Sequence, residues 1–296
     1  MTTASTTDIY VGRDYGRHDI AVTAEMVAAY CASIDHSDAV YGGPSPFGGP
    51  VAPALLRHSE VYEYRDERGQ PAWYLPNLYG NLHARQEFEF FAPVMVGDTV
   101  YARLFIAERY AKRGRDYVVA EVLHFAEDGS VVARGRTHQS FLPETKREGV
   151  VVDKSREKSA ERRFDVDVSA AVEAVPPLTI QITDDMCFKF SGPARNYHND
   201  RDAAARLGFP DIVVQGMMSI CFISEMMTER FGAGWIAGGK LDVNLVNVVW
   251  GSDRLTCRGF VRELTPEGAR RRAHLDVWAE KDDGTKVTVG KASAVV

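Results

Sequence analysis

The chain has 296 residues, 45% of them hydrophobic, which is enough for one large domain or two ordinary ones. A formal net charge of -6, with no Lys/Arg stripe interleaved with aromatic residues, argues against a nucleic-acid partner. No apolar run approaches the roughly 20 residues that a membrane helix needs, so no membrane partner is expected.

The first residues, MTTASTTDIYVGRDYG, have neither the basic start nor the apolar centre of a signal peptide. Cys31, Cys187, Cys221 and Cys257 are scattered without CxxC or metal-ligand spacing and read as small core residues. A reducing, cytoplasmic location is the default expectation. Residues 1–20 are polar and read as an arm. Thr23 is placed to cap a helix over Ala24–Ser33, with Met26, Val27, Tyr30 and Cys31 on one face. A Gly/Pro-rich loop spans Asp35–Pro50, and a second helix is predicted from Ala54 to about Tyr64. From Tyr79 the pattern changes to alternation, with turns at PVMVGD and EDGS, which predicts at least four antiparallel strands. The charged stretch from Pro143 to Ala174 reads as a linker.

The second half repeats the first. Ile182-Thr183-Asp184-Asp185-Met186 echoes Val22-Thr23-Ala24-Glu25-Met26, an offset of 183 − 23 = 160. Val214-Gln215-Gly216 stands where Val51-Ala52-Pro53 stood, and Asp253 and Asp283-Gly284 stand 155 residues after Asp98 and Asp128-Gly129. Landmarks in one order at near-constant offset indicate two copies of one helix-plus-sheet unit. Each unit has an apolar helix that a curved antiparallel sheet must cover. The expected units are 1–142 and 175–296, with 143–174 between them.

The chemistry concentrates in Phe190–Ser219. Ser191-Gly192-Pro193 breaks the chain, Asn196 and His198 follow, and a short polar helix runs from Asp200 to Leu207. Gln215-Gly216-Met217 then opens a strongly apolar helix. A His that moves protons beside free N–H groups at a helix start suits a carbonyl substrate. Without further context the plain alternative, a loop His capping the Asp200 helix, would be favoured; Asn196 reads equally well as a turn residue.

These residues resemble the MaoC-like hydratase/dehydratase family in its double-hotdog form, across nearly the whole chain. The resemblance rests on Ser191-Gly192-Pro193-Ala194-Arg195-Asn196-Tyr197-His198, on Gly208-Phe209, on Val214-Gln215-Gly216-Met217 and on the Gly97-Asp98 turn. It implies an α+β fold in which antiparallel sheets wrap central helices. It also implies hydration of 2-enoyl thioesters, or dehydration of 3-hydroxyacyl thioesters, in fatty-acid or polyketide metabolism. The carrier would be coenzyme A or an acyl-carrier protein, with no metal or redox cofactor. By resemblance His198 is the acid or base, Asn196 orients water or the thioester, and the Gly216 N–H faces the carbonyl oxygen. Two departures stand out: Pro193 occupies the position of the family's catalytic Asp, and Gln215 that of the His before the helix-opening Gly. Aligned instead to the branch similar to eukaryotic type 2 acyl-carrier dehydratases, Ser191 and Asn196 have the spacing at which that branch carries Asn. Both alignments leave Asn196 and His198 as the polar pair.

Gln215 is a candidate for a pantetheine amide and Tyr197 for another part of the substrate; Arg85, Arg195 and Lys240 are candidates for coenzyme A phosphates, with a solvated surface role as the plain alternative. Asn244 and Asn247 are unusual in a strand and suggest a polar lining beside the site; facing solvent is the plain alternative. The first half lacks the pair, and its Gly42–Pro50 loop and Trp73-Tyr74-Leu75-Pro76 are expected to wall an acyl pocket or to serve as scaffold. The rival readings are a hotdog thioesterase, for which Glu225 is the best available carboxylate, and a non-catalytic acyl-thioester binder. Duplication supplies a pseudo-dimer within one chain, so a monomer or a homodimer is expected.

Overall fold

The alternating stretches become ten antiparallel strands in one continuous sheet. The computed structural model describes residues 9–37, 39–67, 69–75, 80–142, 164–169 and 171–296. In the first half β1 is Asp14–Ala21, β2 Leu82–Phe90, β3 Thr99–Lys112, β4 Arg115–Ala126 and β5 Val131–Phe141. In the second, β6 is Glu173–Gln181, β7 Lys240–Leu245, β8 Arg254–Glu267, β9 Arg270–Lys281 and β10 Lys286–Val295. The helices are α1 (Ala24–Ser33), α2 (Ala39–Gly42), α3 (Asp184–Ser191), α4 (Arg201–Arg206), α5 (Gly216–Phe231) and α6 (Ala233–Ile236). The sheet order is β1-β3-β4-β5-β2-β7-β10-β9-β8-β6. Each half therefore has the same internal order, and the halves join where β2 meets β7, with Arg85 opposite Asn244 and Phe88 opposite Leu241.

The repeat holds down to single hydrogen bonds. Thr23 Oγ1 accepts from the Met26 N–H at 3.3 Å, and Thr183 Oγ1 from the Met186 N–H at 3.2 Å, so both helices start on the same cap. The Met95 N–H donates to Asp98 Oδ2 and the Trp250 N–H to Asp253 Oδ2, each at 2.8 Å. The isolated bridges Val51–Met95 and Val213–Trp250 are likewise a matched pair.

The halves differ in their central helix. Every residue of α5 from Met217 to Thr228 is buried, and the helix packs on β6, β8, β9 and β10. The matching helix predicted over 54–64 does not form. The N–H groups of Leu56, His58, Glu60 and Tyr62 donate to the carbonyls of Pro53, Leu55, Arg57 and Ser59, a run of i→i−3 turns with a 3₁₀ helix at Glu60–Tyr62. The reason lies in the side chains: Arg57-His58-Ser59-Glu60 interrupts the apolar surface that lets α5 be buried on all sides. Glu60 is 2% exposed and is held there by ion pairs with Arg57 and His18.

Two further expectations change. The polar arm expected over 1–20 contains β1, an edge strand on β3 in which Ile20 alone is buried; an edge strand tolerates polar residues because its outer side meets water. Of the expected linker, 143–163 and 170 lie outside the described residues, and its last two positions, Glu173 and Ala174, already belong to β6.

One buried polar contact ties the halves together. Glu225 on α5 is 1% exposed and accepts from Tyr30 OH at 3.0 Å and from Tyr41 OH, with His36 Nε2 3.4 Å away. All three partners come from the first half. Burial raises the Glu225 pKa, and the Tyr41 hydroxyl and His36 oppose that rise.

Candidate active site

The candidate loop is built by two helix ends. α3 stops at Gly192, where a Cβ would lie 2.4 Å from the Phe188 carbonyl oxygen, so only glycine fits. α4 starts on Asp200, whose carboxylate accepts from the Ala203 N–H at 2.7 Å and pairs with Arg195. Asp200 is thus a cap, held below the usual carboxylate range first by that N–H bond and then by Arg195. Arg195 is 75% exposed and stands on the outside of the loop, and Pro193 is also exposed.

Between the helices, Asn196 organises the chain. Its amide donates to the carbonyls of Ser191 at 3.0 Å and Ala194 at 2.9 Å, and its oxygen accepts from the His198 N–H at 2.8 Å. The buried Asn199 reinforces the same turn, accepting from the Asn196 N–H at 2.8 Å and donating to the Ala194 carbonyl at 3.0 Å. Both N–H bonds of the Asn196 amide are therefore used within the loop.

The His198 ring is held from behind. Its Nδ1 lies 2.6 Å from the Val213 carbonyl oxygen, which accepts and so assigns the proton to Nδ1, leaving a lone pair on Nε2. The hydrogen bonds of His198 among the described residues run through its N–H and Nδ1, and none through Nε2. Burial lowers the His198 pKa below 6.5 and the bond to Val213 partly offsets it, so the ring is neutral at pH 7. Tyr197 packs against it, with ring centroids 4.0 Å apart, and also lies 5.8 Å from Phe209.

Val213 is three residues before Gly216, the start of α5. Gln215 occupies the cap position, and its side-chain oxygen accepts from Ser191 Oγ at 3.3 Å, tying the helix start back to the loop. The Gly216 and Met217 N–H groups are the first-turn donors that the helix cannot itself satisfy. A Cβ on Gly216 would lie 2.7 Å from Leu245 Cδ1, so glycine keeps this turn close to β7. A neutral imidazole with a free Nε2 and a pair of helix N–H donors can together move a proton and hold an oxyanion.

The strand asparagines do not join them. Leu241 and Val243 are buried and Leu245 touches the Gly216 turn, so period-two alternation puts exposed Asn244 on the opposite face of the sheet. On that outer face Arg85 pairs bidentately with Asp242, at 2.6 and 2.7 Å. Asn247 donates to the Lys286 carbonyl at 2.7 Å and ties β7 to the start of β10. The expected polar lining is therefore absent at Asn244, because the strand register turns it away.

The first half also approaches the site. Burial raises the Tyr62 and Tyr74 hydroxyl pKa values, and both tyrosines lie close enough to Tyr197 of the second half to add to that rise; Tyr74 belongs to the expected wall, whereas Tyr62 was not singled out by the sequence. Trp73, expected to wall a pocket, is fully buried with Nε1 donating to the Val61 carbonyl at 2.8 Å; Pro76 lies outside the described residues. Among the described residues a cavity lies elsewhere, partly open to solvent and bounded by Leu55, Leu56, His58, Phe88, Phe90 and His124. It occupies the region under the 3₁₀ turns that replace the helix. His58 stacks on Phe190, with centroids 4.8 Å apart, one residue before Ser191 of the candidate loop.

Residues 10–134 match the family model described as FAS1-like, dehydratase domain region. Across its length the chain superposes on a solved MaoC-like dehydratase with a TM-score of 0.74 at 17% identity, covering 97% of this chain and 98% of that one. A Mycobacterium tuberculosis protein described as having a double hotdog fold aligns with a TM-score of 0.58 at 14% identity, covering 98% and 96%. The chain has the MaoC-like double-hotdog fold. A MaoC-like dehydratase from Phytophthora capsici extends the likeness, with a TM-score of 0.72 at 14% identity over 99% and 98% of the two chains. No curated protein matches by sequence.

Within this double-hotdog fold, α5 is the long helix of the second half, and 3₁₀ turns stand in its place in the first. Among the described residues no group of three or more His, Cys, Asp or Glu side chains is placed to hold a metal ion, and no helix is long and apolar enough to cross a membrane.

Proposed function

We propose that this protein adds water to 2-enoyl thioesters, and by microscopic reversal removes it from 3-hydroxyacyl thioesters, carried on coenzyme A or a carrier protein. The observation that carries the reading is the His198 Nδ1 bond to the Val213 carbonyl, three residues before the helix-opening Gly216. The thioester carbonyl oxygen sits at the Gly216 and Met217 N–H groups, which favour negative charge there, aided by the helix dipole. His198 Nε2 takes a proton from water as the hydroxide adds to C3. The electron pair moves through C2 to the carbonyl oxygen, giving an enolate at the helix start. The imidazolium then returns its proton to C2, and the thioester carbonyl reforms. One histidine serves as base and acid in turn, which fits a loop where Pro193 stands in place of an acid.

Asn196 acts in this reading as a positioning residue, since its amide shapes the loop that aims His198. Gln215 and Tyr197 flank the thioester, whereas Arg195, Asn244 and Asn247 stand away from it. Glu225 supports no thioesterase reading, because both its oxygens are engaged by buried partners. The first half holds the acyl chain in its cavity. The test is the enoyl-thioester absorbance of crotonyl- and longer 2-enoyl-coenzyme A, followed with a thiol reagent in parallel. Loss of the band without thiol release supports hydration. Thiol release would replace it with thioester cleavage.

A further inference from the structure

The inner face of the first-half sheet is largely apolar; its buried Gln86 and Thr137 satisfy each other, Thr137 Oγ1 donating to Gln86 Oε1 at 2.9 Å, but a third polar residue is unpaired. His124 projects from β4 among Ala120 and Val122 of its own strand, and beside Ala102 and Ala133 of the neighbouring strands. It is 6% exposed, lines the cavity, and neither ring nitrogen has a hydrogen-bond partner among the described residues. Arg57 lines the same cavity, and its Nε is also buried and unpartnered, while its outer nitrogen pairs with Glu60.

The duplication supplies a control. The turn after β4, with the Ala126 N–H on the Ser130 carbonyl at 2.9 Å, recurs after β9 as Lys281 on Thr285 at 2.9 Å, fixing an offset of 281 − 126 = 155 in this strand pair. His124 therefore corresponds to Ala279, which is fully buried in an apolar core. The same fold is built with no polar group at this position, so His124 is not needed to make the strand. A buried imidazole and guanidinium with unmet hydrogen-bonding groups, facing a shared cavity, are costly unless something polar enters.

We infer that the cavity selects acyl chains carrying an oxygen atom that His124 and Arg57 Nε hydrogen-bond, over plain hydrocarbon chains. The inference rests on the reading that the cavity holds the acyl part of a thioester. The apolar walls, with Leu55, Leu56, Phe88 and Phe90, surround the methylenes, and the nitrogens meet a hydroxyl, oxo or carboxyl oxygen further along. Burial holds His124 neutral, with a pKa near 3, so it offers one N–H and one lone pair. Arg57 Nε–H adds a second donor. An acceptor oxygen satisfies these donors, and a saturated chain satisfies none.

The experiment compares kcat/KM for a medium-chain 2-enoyl-coenzyme A with its ω-hydroxy and ω-carboxy counterparts, in wild type and His124→Leu. The expected result is about tenfold or greater preference for an oxygenated chain in wild type, the size of one buried hydrogen bond, reduced to within about twofold in the variant. Preference for the hydroxy arm points to His124 as the main anchor, and preference for the carboxy arm to Arg57. Equal use of plain and oxygenated chains by wild type, or a preference that His124→Leu leaves intact, overturns the inference. If no enoyl thioester turns over, the proposed reaction fails. Calorimetric binding of the saturated acyl-coenzyme A series then decides this point by the same ratio. Should His124→Leu fail to fold, His124→Ala is read in its place.

Discussion

Tyr41→Phe removes one hydroxyl from the contact that joins the halves, and its effect is calculable. Tyr41 is fully buried and donates to Glu225 Oε2; without it that oxygen keeps only His36 Nε2, 3.4 Å away. Losing a hydrogen bond to a buried charged group costs about 2 kcal/mol. For a chain of this size that lowers the thermal midpoint by roughly 3 °C. Burial raises the Glu225 pKa above its ordinary 4.5, so the folded chain holds this proton more tightly than the unfolded one. The contribution linked to Glu225 is therefore fully present below pH 4.5 and declines as pH rises toward the folded pKa. A protonated Glu225 needs the hydroxyl less, so the Tyr41→Phe penalty shrinks to about 1 kcal/mol, that of a neutral hydrogen bond, as pH falls. Glu225→Gln should bring the penalty to that same smaller value at every pH. The assay is urea unfolding of the four proteins of the double-mutant cycle, monitored by circular dichroism at pH 8 and pH 5. A Tyr41→Phe penalty that is unchanged by pH and by Glu225→Gln would refute a charged contact between the halves.

Asn196→Ala should lower kcat about 100-fold with KM changed little, because a misaimed His198 loses reactivity rather than binding; steady-state kinetics separates the two. The acid limb of kcat/KM against pH should fall below 6.5, because burial lowers the His198 pKa and the reactive neutral ring persists to lower pH; a limb at or above 6.5 would contradict this. Thr23→Ala and Thr183→Ala should each destabilise by about 1 kcal/mol in urea unfolding, because they delete the same helix cap in the two repeats.

The duplication was legible because turns and caps are written in short polar residues. Thr23 and Thr183, and Asp98 and Asp253, make the same bonds in both halves. Alternation likewise announced the strands. The missing first-half helix was legible only in part: Pro53 and the Arg57–Glu60 run were visible, but not that Glu60 is sealed by Arg57 and His18. Asn244 was misread because the presence of Asn was weighed before the Leu241-Val243-Leu245 alternation that fixes its face. Asn196 was read evenly as turn residue or site residue, and its amide bonds lie within the turn. His124 was not singled out, although the Ala120-Val122-His124 alternation places it on the buried face.

The central claim is that His198 beside the Gly216 helix start performs the hydration. It is tested most directly by following the enoyl-thioester absorbance of crotonyl- and longer 2-enoyl-coenzyme A with wild type and His198→Ala side by side, after circular dichroism has shown both folded. The account predicts loss of the band with wild type and a rate lower by at least about 100-fold with His198→Ala. A folded His198→Ala that consumes the band as fast as wild type would contradict it.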